Sequence, residues 1–226
     1  MIFHTAAEKV YYNAFFKNWH TSIKKIYPSA RFSLRFVGPD DDTDVIEYCQ
    51  SNDILLDIDP ITYNQITDKF NVTGLNTNGY YAMSRWISVP TIDEDVFVTD
   101  IDIVAISAPS FDIEKSLNEK PWFTVSRRKA NNRTLKLMAI CLRKDICNSV
   151  RDKAISLLNS QPLVWSLDLN IRDFLMENFE YNEYVLLGSI NKLSIPEVKK
   201  LPFAHVKGDT ETKISEFKIA KSLGIF

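Results

Sequence analysis

Apolar side chains recur every three to four residues between positions 8 and 26. Val10, Ala14, Phe15, Trp19, Ile23 and Ile26 fall near one face of a predicted helix. Pro28 lies just beyond it and cannot extend it. Short runs rich in β-branched and aromatic residues predict strands at 1–4, 32–37 and 54–58, the last two closed by Gly38-Pro39 and by Pro60. The acidic stretch Asp40–Asp42 reads as a turn. Further along, the pattern predicts a helix over 80–87 that ends before Pro90, then a strand over 96–99. A strand over 134–142 and helices over 145–158 and 169–176 follow. Strands alternating with helices point to an α/β layered sheet. In such sheets ligands sit beyond the carboxyl ends of strands. His4-Thr5 and the pair Asp100 and Asp102 occupy such ends.

Composition narrows the class. At 226 residues and 45% hydrophobic content, with no repeat, no low-complexity segment and only 6 Gly, the chain reads as one domain over 1–226. Lys+Arg 27 against Asp+Glu 29 gives a net charge of −2, which excludes a nucleic-acid binder that relies on a global positive field. The local run Arg127-Arg128-Lys129 reads as a solvated basic turn. Three cysteines without C-x-x-C spacing fit a reducing compartment. With no signal-like opening and no apolar run long enough to span a bilayer, a cytoplasmic protein without a stable membrane anchor is expected.

The chemistry concentrates in DEDVFVTDIDIVAIS, residues 93–107. In an extended backbone residues i and i+2 project to one side, so Asp100 and Asp102 are expected to present two carboxylates to one place. Such charges repel unless a cation sits between them, and Mg²⁺ or Mn²⁺ prefers oxygen ligands. A solvated strand end or a helix cap explains an isolated Asp-x-Asp equally well. The chain carries its own comparison in Asp57-Ile58-Asp59, where Pro60 suggests a strand terminus with Asp59 as a cap.

The surrounding residues favour the second copy. Residues 79–106, GYYAMSRWISVPTIDEDVFVTDIDIVAI, resemble the sugar-donor module of GT-A glycosyltransferases, with Tyr80, Tyr81, Arg85, Asp100 and Asp102 at the matching positions. The opening FHTAAEKVYYNAFFKNWHTSIKKIYPSARFSLRFVG resembles that fold's first β-α-β unit, in which His4, Thr5, Ala6 and Ala7 match residues that contact the nucleotide. Near the end, FAHVKGDTETKISEF resembles the His-x-x-Gly…Lys signature of glycosyltransferase family 8, the relatives of glycogenin, through His205, Gly208 and Lys213. Lys213 departs from the family's usual spacing and no Pro-Trp follows it. In VWSLDLNIRDFL, Asp168 matches the Asp of the family's Asp-Gln-x-x-Leu region, with Leu169 in place of the Gln. Asp168 reads equally well as a helix cap.

The resemblance implies a three-layer GT-A-like fold around a central mixed, mostly parallel sheet. It implies a metal-dependent glycosyltransferase that moves a sugar from a nucleotide-diphosphate sugar, a UDP-sugar first, to an acceptor hydroxyl with retention. Asp100, Asp102 and His205 would hold Mn²⁺ (or Mg²⁺). Arg85 and Asp168 would serve catalysis. Tyr81, Lys207, Gly208 and Lys213 would join the donor site. Two other readings stand beside it. One is a haloacid-dehalogenase-type phosphatase using Asp100 and Asp102, a family in which the motif ordinarily opens the fold. The other is an inactive GT-A-like binding protein.

Overall fold

The structure is a computed structural model that describes residues 1–61, 65–66, 80–81, 84–126, 139–160, 167–189, 195–198, 200–206 and 208–226. Lys207, the Arg127–Lys129 run and the first part of the strand expected over 134–142 lie outside the described residues.

Seven strands form the central sheet: β1 (Ile2–Glu8), β2 (Arg31–Val37), β3 (Ile54–Asp59), β4 (Val96–Thr99), β6 (Trp122–Ser126), β7 (Ala139–Leu142) and β8 (Tyr181–Val185), in the order β3-β2-β1-β4-β7-β6-β8. All neighbours pair in parallel except β7, which runs antiparallel to β4 and β6. A second sheet contains β5 (Ile103–Ala105), β9 (Leu187–Ser189) and β10 (Phe203–His205), in the order β5-β10-β9. The layered α/β expectation therefore holds, with a mixed and mostly parallel central sheet.

Both faces of the central sheet are covered, as the continuous apolar strands require. Along β4, Phe97 enters one core while Val96 and Val98 enter the other. The first core stacks Phe3 on Phe97 (ring centroids 5.1 Å) and Phe97 against Phe123 and Phe203. It is closed by Phe15, Phe16, Trp19 and Ile23 of α1, the helical run that starts at Lys9–Tyr11 and ends with Lys17–Ile26. The second core gathers Val96, Val98, Trp122 and Ile140 under α4 (Lys144–Ser160) and α5 (Leu167–Asn178).

Two expectations about helices need correction. The helix over 8–26 is interrupted by a π turn at Tyr12–Phe16. The additional residue in that turn rotates the helix face, so Tyr12 faces inward and Val10, counted above on the apolar stripe, is 53% exposed. Asp40–Asp42 also does more than turn the chain. Asp42 accepts from the Val45 amide at 3.3 Å and caps α2 (Thr43–Ser51), a helix the apolar pattern did not announce. Further described helices are α3 (Ile113–Glu119), the short α6 (Ile195–Val198) and α7 (Thr210–Ser222), and the described residues 80–81 and 84–87 of the helix expected over 80–87 are helical.

Buried histidines give the fold a pH dependence. His20 packs its ring edge-on against Phe32 at 4.5 Å and shares a 3.0 Å hydrogen bond with the Tyr48 hydroxyl, while Nε2 has no hydrogen-bond partner among the described residues. Burial, with Lys24 nearby, lowers its pKa to about 4. The unfolded chain protonates this group near pH 6.5, so the folded state loses stability as pH falls from about 6.5 towards 4. His20→Phe is expected to flatten that slope, gaining about 2 kcal/mol relative to wild type between pH 7 and pH 4.5. Thermal melts at the two pH values check this. A parallel offset at both would reject the assignment.

Candidate functional site

The carboxyl end of β4 is fastened before the acidic residues begin. Trp19 of α1 donates its indole N–H to the Thr99 hydroxyl at 2.8 Å, and the Thr5 hydroxyl of β1 donates to the Thr99 carbonyl at 2.9 Å. β4 pairs with β1 only as far as His4, whereas β1 runs on beside β2 to Glu8. The segment that follows Thr99 is therefore released from the sheet at a fixed point.

Asp100 and Asp102 do not lie on extended backbone, as expected above. The chain turns at Ile101–Asp102, and the Ile103 amide donates back to the Asp100 carbonyl at 3.2 Å. Ile101 is buried in the core, which anchors the turn between the two carboxylates. The pair that does follow the pleated pattern is the other copy. Asp57 and Asp59 of β3 both meet Arg35 on the neighbouring strand, at 2.6 and 2.9 Å, and the Tyr80 hydroxyl donates to Asp59. In that copy one guanidinium answers both charges.

His205 reaches Asp102 across more than a hundred residues of sequence because β10 pairs antiparallel to β5, with His205 opposite Ile103. One ligand atom each from Asp100, Asp102 and His205 lies within 4.8 Å of the others. The two oxygens and one imidazole nitrogen form a donor set that suits Mn²⁺ or Mg²⁺ better than a thiolate-seeking metal. The metal triad of the resemblance is thus brought together.

The cluster also contains its own cations. Arg85, almost fully buried, places Nη1 2.7 Å from Asp100 and Nη2 3.1 Å from Asp168. Trp86 donates its indole N–H to Asp168 at 2.7 Å. Asp102, only 2% exposed, faces His205 Nε2 at 3.3 Å and Lys213 Nζ at 2.6 Å. Against the cost of burial, His205 and Lys213 hold the Asp102 carboxyl well below the usual carboxylate range. Burial and the charge of Asp102 raise Asp100 in spite of Arg85. Among the described residues three carboxylates thus meet two permanent cations, which leaves that cluster attractive to a further positive charge.

Local structure explains where Lys213 stands. Gly208 takes φ 138°, a backbone that side-chain-bearing residues rarely adopt, and a Cβ there would lie 2.7 Å from the Thr212 side chain. Asp209 follows and accepts from the Thr212 amide at 2.8 Å, capping α7. Lys213 closes the first turn through its own amide, 2.9 Å from the Asp209 carbonyl. The unusual spacing of this lysine is therefore the spacing of a helix start.

The residues expected around the nucleotide divide. His4, Thr5 and Ala7 have almost no surface, so in this arrangement they support the site from beneath; Ala6 is half-buried. His4 bonds the Arg85 carbonyl through Nε2 at 2.8 Å and the Ser33 hydroxyl through Nδ1 at 3.1 Å. Because a carbonyl only accepts, the proton sits on Nε2. Burial lowers the pKa to about 4, so the ring is neutral. His4 thereby fixes the backbone of Arg85. Tyr81 is half-buried beside the second core. Trp86 was missed in the sequence, and its position next to Arg85 was the only signal for it. Asp168 stands at the start of α5, 38% of its side chain exposed.

No family model matches the chain, and no curated protein does either. Solved structures do. The glycosyltransferase GlyE of Streptococcus pneumoniae TIGR4 aligns with a TM-score of 0.56 at 12% identity, over 99% of this chain and 64% of that one. This chain therefore spans somewhat less than two thirds of the length of GlyE. The galactosyltransferase LgtC, in complex with donor and acceptor sugar analogues, aligns with a TM-score of 0.56 at 11% identity, covering 98% of this chain and 96% of its own. A glycosyltransferase involved in glycosylation of the major capsid of PBCV-1 gives 0.54 at 13%, covering 96% and 98%. At these identities the likeness establishes the fold.

Proposed function

We propose, from the GT-A fold that the resemblance to the glycogenin-like glycosyltransferases implied, a metal-dependent glycosyltransferase. It takes its sugar from a nucleotide-diphosphate donor, a UDP-sugar first, and passes it to an acceptor hydroxyl with retention of anomeric configuration. The observation that carries the proposal is the convergence of Asp100 and Asp102, from the turn between β4 and β5, with His205 of β10, beyond the carboxyl end of β4. Fold likeness raises the expectation of transfer chemistry, while the site supplies the reason.

Asp100, Asp102 and His205 would hold Mn²⁺ (or Mg²⁺). When bound, that ion supplies positive charge to the donor's diphosphate as it becomes the leaving group. Arg85, oriented through His4 and held between Asp100 and Asp168, adds a fixed positive charge at the same place. Lys213, Lys207 and Gly208 are assigned to the diphosphate side, and Ala6 and Tyr81 to the remainder of the donor. Asp168, with both oxygens engaged by Arg85 and one also by Trp86, is assigned to orientation of the transferred sugar. No dedicated enzymic nucleophile is identified among the described residues, so attack by the acceptor hydroxyl on the face the diphosphate leaves is the proposed route to retention.

The fold also weighs on the other readings. A phosphatase of the haloacid dehalogenase type places its motif after the first strand, whereas here β1 ends without it and Asp100 follows β4. No described helix is long and apolar enough to cross a membrane.

Calorimetry against UDP, GDP, CDP and ADP, each with Mn²⁺ and with EDTA, tests the donor site. Metal-dependent binding of one nucleotide is expected, UDP first. Proton NMR of the product anomer then tests retention. Absence of binding to all four would remove the transferase reading.

A further inference from the structure

Both carboxylate oxygens of Asp102 are already engaged by described residues of the protein. Oδ1 faces His205, and Oδ2 carries Lys213 at 2.6 Å. An ammonium on that oxygen and a divalent ion on the same carboxylate repel at a few ångströms in a buried setting. We propose that Lys213 is a tethered counter-ion which a divalent metal must displace from Asp102, so that the chain holds Mn²⁺ weakly while the lysine is in place. This inference rests on the metal reading of Asp100, Asp102 and His205.

The placement of the lysine is built into the packing. Gly208 and the Asp209 cap set the first turn of α7. The Tyr11 hydroxyl lies 3.3 Å from that of Thr210, tying the helix start to α1. The ammonium sits 5.5 Å from the centre of the Tyr11 ring, a second favourable surface for its charge. Lysine suits an occupant that has to leave, because it is a point charge on a flexible stem. Arg85 contrasts with it: its planar guanidinium bridges Asp100 and Asp168 together and is almost fully buried. Of the two cations in the cluster, one is fixed and one can swing away.

A competitor in place nine times in ten lowers the apparent affinity for its rival about tenfold. The test is calorimetric titration of Mn²⁺ alone, without nucleotide, into the full chain as wild type, Lys213→Met, Lys213→Gln, Lys213→Arg and Asp102→Ala. Lys213→Gln keeps a hydrogen-bond donor near Oδ2 without the charge, which guards against loss of folding in the methionine variant. The two uncharged variants are expected to bind Mn²⁺ about tenfold more tightly than wild type. Lys213→Arg is expected to bind as weakly as wild type or more weakly, and Asp102→Ala not at all. If wild type binds Mn²⁺ and the uncharged variants bind no better, Lys213 is not a competitor and only this inference falls. If no variant binds Mn²⁺, the inference falls together with the metal reading.

Discussion

Asp102→Ala is expected to lower Mn²⁺-dependent affinity for the nucleotide diphosphate by at least about a hundredfold, while Asp59→Ala is expected to leave it unchanged. Both substitutions remove the second carboxylate of an Asp-Ile-Asp that follows a strand, so local sequence predicts equal effects. The surroundings predict the difference. Asp102 is buried and meets His205 and Lys213, and its loss also leaves Lys213 without its carboxylate. Asp59 answers Arg35 and Tyr80 at the carboxyl end of β3, where Asp57 remains to hold Arg35. Its removal is expected to cost about 1 kcal/mol of stability and no affinity. Parallel calorimetry and melting curves separate the two quantities. Equal loss of nucleotide binding in both variants would show that the wrong copy has been chosen.

Arg85 carries the second large effect. Arg85→Leu takes the shared partner from Asp100 and Asp168 and leaves Asp100 in a mostly buried setting. A destabilisation of about 3 kcal/mol is expected, at the lower end for broken buried pairs because both carboxylates keep some solvent. Arg85→Lys is the sharper probe. A single ammonium cannot bridge carboxylates that the guanidinium meets with two different nitrogens. The fold should survive in Arg85→Lys, with turnover reduced about a hundredfold and donor KM changed much less. Steady-state kinetics with a UDP-sugar donor check this. Unchanged turnover would mean that Arg85 serves only to neutralise its two neighbours.

How far the sequence could carry these arguments depends on the range over which each signal acts. Periodicity and proline placement are local, and among the described residues the elements they announced, β1 to β4, β7, the helix over 80–87 and the helices α1, α4 and α5, are present with shifted ends. The elements it failed to announce are those whose stability comes from distant partners. β10 is three residues that exist because β5 and β9 flank them, and β6 pairs with β7 and β8. α2 and α7 were not announced because neither has a long apolar stripe, and it is the structure that shows their caps, Asp42 and Asp209.

The site shows the same division. Sequence alone determined which residue types were available: the carboxylate pair after an apolar strand, the Arg beside an aromatic residue, and a His and Lys near the end. The two tripeptides Asp57-Ile58-Asp59 and Asp100-Ile101-Asp102 are nearly alike in local chemistry, and only their flanking residues favoured the second. Tertiary structure shows how their surroundings differ. Arg35 on the adjacent strand satisfies the first pair, whereas the second turns out of the sheet to meet groups from β10, α5 and α7. It also shows that His4 is buried and neutral and holds the Arg85 carbonyl. The physical reason is that a charge is specified by what surrounds it in three dimensions, and those surroundings are assembled by strand pairings between residues far apart in the chain.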